Sequence, residues 1–282
     1  MAPPNAELPL QERLLALAKT LQFGWFVGHV LMVLSTVRYA FSWLRFNYYG
    51  GMARFSYRFA FLAAATTYGI VVYKTFKARA KAGARNPSPI GLLADENVQY
   101  LGMAIIWLLS PQYPLALLPY CVYSIFHVLT YSRANLIPAL QPPSATAPTS
   151  SPGARSSATH PIADKIGVFV RSYYEDSMAI VASLEIFLWI RVALSALFFQ
   201  SRSWLILTVY TAFLRSRFVQ SPHVQHAFRL LEARVDGLVG SQGTPPAARQ
   251  VWEQVKGGVR QFYAATDVSK YSSAGAAPKK AS

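Results

Sequence analysis

Residues 97–132 read NVQYLGMAIIWLLSPQYPLALLPYCVYSIFHVLTYS, thirty-six positions without Asp, Glu, Lys or Arg in a chain whose formal net charge is +15. A single helix of that length would extend about 54 Å at ~1.5 Å per residue, whereas the hydrocarbon core of a bilayer is ~30 Å thick. The run therefore belongs in a membrane and folds back on itself. Pro111, Pro114 and Pro119 stand near its middle, where a missing amide donor and ring clashes end one helix and let another begin. The expected object is a buried hairpin of two short helices.

The composition around this run agrees with it. Hydrophobic residues make up 53% of the chain and charged residues 14%, yet the pI is near 10.0. This is a membrane protein with a basic aqueous side. One cysteine, Cys121, excludes an intramolecular disulfide framework and a cysteine-based metal cluster. Near the N-terminus, Glu7 and Glu12 precede the first long apolar stretch, which does not read as a cleaved signal peptide. Leu10, Leu14, Leu17 and Leu21 recur at helical spacing, so residues 1–19 form either an amphipathic helix lying on the membrane or a plain helical lead-in.

Residues 20–140 read as a membrane region. Thr20 to Val37 is uncharged and the stretch to Leu44 admits only Arg38, which gives the first span. Phe59 to Tyr73 gives the second, with Arg58 able to snorkel and Tyr73 placed as an interfacial anchor. A later apolar region, within residues 161–220, is interrupted by Glu185, Arg191 and Arg202. Its pattern fits a shallow hairpin turning around Gln200 to Ser203, and two full crossings are equally allowed if the charges are shielded. Between these regions, residues 141–160 hold twelve Pro, Ser or Thr out of twenty and read as a solvated linker. The densest basic loop, Lys74, Lys77, Arg79, Lys81 and Arg85, is expected in the cytosol, which places both termini there as well.

The tail carries a different pattern. Phe228, Leu231, Val235 and Leu238 fall on one helical face, and Trp252, Val255, Val259 and Phe262 repeat the scheme, with Arg249, Lys256 and Arg260 available to anionic lipid headgroups. Residues 221–265 are thus an expected amphipathic membrane-binding tail, although the same stripes would also serve docking on protein. Gly257 and Gly258 lower the helix propensity of the second segment by up to ~1 kcal/mol each, so it is expected to order on binding. The flexible basic terminus, 266–282, ends with Lys279 and Lys280 at the third and fourth positions from the end. These resemble the cytosolic dilysine signal read by coat machinery for retrieval to the endoplasmic reticulum.

Chemistry-bearing motifs are sparse. Glu185 lies in an apolar segment and either marks a transport path, sits near the headgroups, or pairs with an arginine from another helix. His29 and His127 also lie in apolar segments, and His223 and His226 are three apart without a third ligand. No phosphate loop, nucleophile elbow or metalloprotease helix occurs. A non-enzymatic protein without catalytic residues, cofactor or metal is expected, with lipid rather than nucleic acid as the acidic partner. The rival class is a small transporter or channel using Glu185 and the intramembrane histidines.

Whole phrases then become informative: LQFGWFVGH at 21–29, FNYYGGMARFSYR at 46–58, ENVQYLGMAIIWL at 96–108, LLPYCVYSIFHVLTYSR at 117–133 and RSYYEDSMAIVASLEIFLWIR at 171–191. Over about residues 10–230 the chain resembles the transmembrane protein 33 family, which includes the fungal pore-membrane nucleoporins. That resemblance implies an endoplasmic reticulum and nuclear envelope location and a role in shaping or organising membrane and in nuclear pore assembly or distribution. It also implies interplay with reticulon-type proteins, nuclear pore components and a karyopherin. The expected architecture is all-α and polytopic: two N-terminal spans, two later helical hairpins or span pairs, and C-terminal amphipathic helices.

Overall fold

A threonine fixes the start of the membrane bundle. In the computed structural model, which describes residues 8–83, 89–141 and 160–267, helix α1 (Leu10–Ala18) ends just before Thr20. The Thr20 hydroxyl donates to the Leu17 carbonyl at 2.7 Å and accepts from the Phe23 amide at 3.1 Å, so one side chain closes α1 and caps α2 (Leu21–Leu44). Leu17 is buried with Tyr131 and Ala139, which ties α1 to the bundle. Leu21 belongs to α2 and is exposed.

Helix α3 (Gly51–Lys81) returns antiparallel to α2. The two approach closely where Gly28 faces Thr67: a Cβ at Gly28 would meet the Thr67 methyl, so only a hydrogen fits there. The short α4 (Pro89–Leu93) leads into α5 (Glu96–Leu109). Asp95 caps α5 by accepting from the amides of Asn97 and Val98 at 2.9 and 3.4 Å. Its far end stops at Ser110, before Pro111, as the proline chemistry requires.

The thirty-six-residue run does turn in its middle, but its second half is not short. A 3-10 turn (Pro114–Ala116), α6 (Leu117–Tyr131), a π-helical stretch (Ser132–Leu136) and α7 (Ile137–Leu140) form one rod from Pro114 to Leu140, long and apolar enough to cross a bilayer. Pro119 does not break it, because the third residue of α6 is in a first turn that tolerates proline. The widened π turn comes just ahead of Pro138, whose ring would clash with the Ala134 carbonyl in a regular helix.

In the later apolar region α8 (Pro161–Leu197) is 37 residues long, about 55 Å at ~1.5 Å per residue, which is far longer than one arm of a shallow wedge. It turns through Phe198–Arg202, with Phe199 and Arg202 at φ 50° and 61°, into α9 (Ser203–Gln220). This turn and the one between α2 and α3 expose Phe46, Phe198 and Phe199, and beside them Tyr49 and Trp204, whose amphipathic rings suit an interface. Four helical stretches can cross a bilayer by length and composition: Leu21–Leu44, Gly51–Lys81, Pro114–Leu140 and Pro161–Leu197. Among the described residues there is no strand. The protein is an all-α polytopic membrane protein.

Tyrosines dominate the core, and their hydroxyls bond to backbone groups of neighbouring elements. Tyr57 Oη accepts from the Tyr113 amide at 3.1 Å, and Tyr120 and Tyr210 donate to the carbonyls of Tyr100 and Glu185 at 2.8 and 3.0 Å. Arg58 does not snorkel away from the bundle: it donates to the carbonyls of Trp107 and Leu108, and Arg202 donates to that of Leu109. Two guanidinium groups thus cap the negative end of α5. Arg58 and Arg202 serve this helix end and are weak markers of topology.

The chain comprises two compact units, the first through Val224 and the second starting at Gln225. The second contains most of α10 (Pro222–Val239) and all of α11 (Pro246–Ala265).

Candidate functional site

In the second unit the chain reverses between Gly240 and Pro245, so that α10 and α11 form a helical hairpin held by polar contacts along one edge. Asp236 accepts from Trp252 Nε1 at 2.6 Å and from Lys256 Nζ at 3.0 Å, while Lys256 lies 5.7 Å from the Trp252 ring centroid and also pairs with Glu253 at 2.8 Å. Arg249 donates to the Ser241 carbonyl at 3.0 Å. Lys256 and Arg249, two of the three cations expected at lipid headgroups, are therefore engaged within the hairpin. The Asp236 carboxyl is held below the usual carboxylate range, first by the Trp252 N–H and then by Lys256.

The eight apolar tail residues divide into two groups. Phe228, Leu231, Val235 and Trp252 are half-buried, whereas Leu238, Val255, Val259 and Phe262 are exposed. On α11 Val255, Val259 and Phe262 fall within one arc of about 80° together with Val251, at ~100° per residue, while Arg260 lies about 100° beyond the arc's edge at Val259. Gly257 and Gly258 do not interrupt α11, which runs unbroken through both. Lys279 and Lys280 lie outside the described residues, as do Arg85 and nearly all of the Pro/Ser/Thr-rich linker.

Inside the first unit Glu185 is 1% exposed. Its carboxylate accepts from Tyr100 Oη at 2.5 Å and stands 3.5 Å from Arg217 of α9. Arg217 also binds Glu96 at 2.5 Å and Tyr123 Oη at 3.2 Å, and its guanidinium lies 5.3 Å from the Tyr100 ring centroid. Of the three positions open to Glu185 on sequence grounds, the structure selects pairing with an arginine from another helix. Arg217, Tyr100 and Glu96 escaped sequence reasoning because they lie far from Glu185 along the chain.

The histidines gather elsewhere. The His29 and His127 rings are tilted 45° to one another at 4.6 Å between centroids, Trp25 packs edge-on to both, and His29 Nδ1 is 2.9 Å from Ser124 Oγ. A cavity of about 400 Å³ is lined by His127 but by neither His29 nor Glu185. The three groups named for a transport path do not converge on it. His223 meets Glu175 at 3.5 Å, and no group of three metal-ligating side chains occurs among the described residues.

Compared with known proteins, the chain matches the family described as Transmembrane protein 33/Nucleoporin POM33 over residues 9–265. It belongs to that family. It is 62% identical to Nucleoporin POM33 of Chaetomium thermophilum, with 99% of each chain covered. It is 31% identical to the Pore membrane protein of 33 kDa of Saccharomyces cerevisiae and 32% identical to Tetra-spanning protein 1 of Schizosaccharomyces pombe, in both cases covering 90% of this chain and 88% of the relative. No solved structure matches the chain. Family membership extends through α11 and thus includes the tail hairpin.

Proposed function

We propose that this protein is a non-enzymatic organiser of curved membrane in the endoplasmic reticulum and nuclear envelope that contributes to nuclear pore assembly or distribution. The observation that carries the membrane part is the exposed arc of Val251, Val255, Val259 and Phe262 on α11, with the exposed Tyr263 ring beside it. Such a face lies shallowly in a headgroup layer and expands one leaflet relative to the other. The pore part rests on relatives of which one is named a nucleoporin and another a pore membrane protein. Nuclear pore components, reticulon-type proteins, a karyopherin and, through Lys279 and Lys280, coat machinery complete the reading as partners.

The test uses a peptide covering residues 221–265 with small and large anionic vesicles. Curved bilayers have packing defects that admit apolar side chains, so small vesicles should bind it more tightly. Full burial of one large apolar side chain contributes ~1.5–3 kcal/mol, so Val255→Asp with Phe262→Asp should weaken binding at least about tenfold even with shallow insertion. Equal binding by both peptides would assign the arc to protein packing. The reading also places both termini in the cytosol. In sealed microsomes, tags at each end should be digested without detergent, and a protected C-terminal tag would overturn the topology and the dilysine reading together.

A further inference from the structure

The cavity of about 400 Å³ opens among α3, α5, α6 and α8, and nothing in the tail-based reading uses it. Its volume falls within the ~300–1,000 Å³ typical of small-molecule sites. Its walls include the rings of Tyr68, Tyr123, Phe126 and Tyr174, the carboxylate-bearing Glu96, and His127. Phe126 and Tyr174 meet at 89° with centroids 5.7 Å apart, and Tyr123 meets Tyr100 at 76°. Rings set near right angles thus line one partly open cavity.

The electrostatics point one way. Glu96 and Glu185 both pair with Arg217, so two carboxyl groups face one guanidinium behind the wall. No Lys or Arg lines the cavity. At the start of α5 the amides of Asn97 and Val98 are already taken by Asp95, so the helix N-terminus offers no anion site there. The same aromatic cluster already hosts one cation, the Arg217 guanidinium over the Tyr100 ring. A primary ammonium would require directed acceptors for three N–H donors, whereas a methylated ammonium needs ring faces and a nearby carboxylate.

Position along the bundle adds a source. Tyr68 lies six residues before Lys74 in α3, about 9 Å along the helix axis, so the cavity sits just inside the point where the basic end of α3 leaves the membrane. A basic helix end of this kind is where a span meets lipid headgroups. Tyr174 is 45% exposed, so this wall is accessible from outside the bundle. We propose that this cavity is a cage for a quaternary ammonium group, the chemistry shared by free choline and the phosphatidylcholine headgroup.

The experiment uses the full chain, delipidated in maltoside micelles and offered equal amounts of phosphatidylcholine, phosphatidylethanolamine and phosphatidylserine. Native mass spectrometry reads the lipid retained, and equilibrium binding of radiolabelled choline tests the free source. Preferential retention of phosphatidylcholine without choline binding identifies the lipid, and saturable choline binding identifies the free cation. Tyr174→Leu, which keeps bulk and loses the ring, should reduce the favoured binding about fivefold or more, while Tyr174→Phe keeps it. Glu96→Gln, which can still accept from Arg217, should also weaken it. Should Tyr174→Leu fail to elute as a monodisperse species, the Phe and Gln variants decide by the same criterion. Equal retention of the three lipids with no choline binding, a preference for either of the other lipids, or full retention by folded Tyr174→Leu would each overturn the proposal.

Discussion

The bundle and the tail hairpin each contain a triad of carboxylate, cation and aromatic donor, built alike and placed in opposite surroundings. In the bundle Glu185 accepts from Tyr100 Oη while Arg217 pairs with it and covers the Tyr100 ring. In the hairpin Asp236 accepts from Trp252 Nε1 while Lys256 pairs with it and approaches the Trp252 ring. Glu185 is 1% exposed, whereas the Asp236 side chain is 45% exposed. The same contacts therefore have different consequences. A buried pair costs desolvation to form and leaves an uncompensated charge when one partner is removed, whereas water and salt replace most of what an exposed pair loses.

The comparison breaks most sharply at Glu185. Glu185→Ala leaves the 5%-exposed Arg217 with only the partly exposed Glu96 as a carboxylate partner and removes the acceptor of Tyr100 Oη. Loss of one member of a buried pair costs about 3–5 kcal/mol, a large fraction of a typical folding free energy. Denaturation of the micellar protein by SDS should show that loss, and Glu185→Gln, which keeps an acceptor for Tyr100, should lose less. A cost near zero for Glu185→Ala would mean that the cluster is solvated and that the transport reading of Glu185 must be reopened.

What was legible in the sequence follows the same division between local and distant interactions. The break of the apolar run at Pro111, the first two spans and the turn near Gln200 were legible because proline chemistry and hydrophobic length act over a few residues. The length of Pro114–Leu140 was not, since counting uncharged residues stopped at Ser132 and a π turn carries the helix past Arg133 to Leu140. Arg58 looked like a snorkelling charge because its acceptors, the end carbonyls of α5, lie about fifty residues away. Glu185 was visible as an anomaly and its pairing was not, for pairing is a property of how α8 meets α9 and α5. In the tail, periodicity gave the apolar stripes, but only the hairpin shows that Trp252 and Lys256 are turned to the Asp236 side while Val255, Val259 and Phe262 stay open.

The smallest effect belongs to the exposed triad, and pH isolates it. Asp236 has its carboxyl lowered from 3.8, chiefly by the Trp252 N–H and then by Lys256. A group whose folded pKa is depressed contributes stability that is fully present above its unfolded value and lost as pH falls through the folded one. Lys256 is raised from 10.5, chiefly by Glu253 and then by Asp236, so its contribution is present below that value and lost as pH rises through the raised one. The clasp is therefore closed between these limits and opens on the acid side only as pH falls below 3.8. Trp252 is the one tryptophan in residues 221–265, so its emission in that peptide reports the event directly. Acidification from pH 5 to pH 2 should produce a red shift that Asp236→Asn lacks, because Asn can accept from the Trp252 N–H without titrating. The Asn variant carries every other ionisable group of the peptide and so serves as the control. Raising the salt concentration to about 1 M should shrink the wild-type step, since exposed charges are screened within ~3 Å at that ionic strength. An identical step in wild-type and Asp236→Asn peptides would show that the clasp is open in water and that α10 and α11 are held together by their apolar contacts alone.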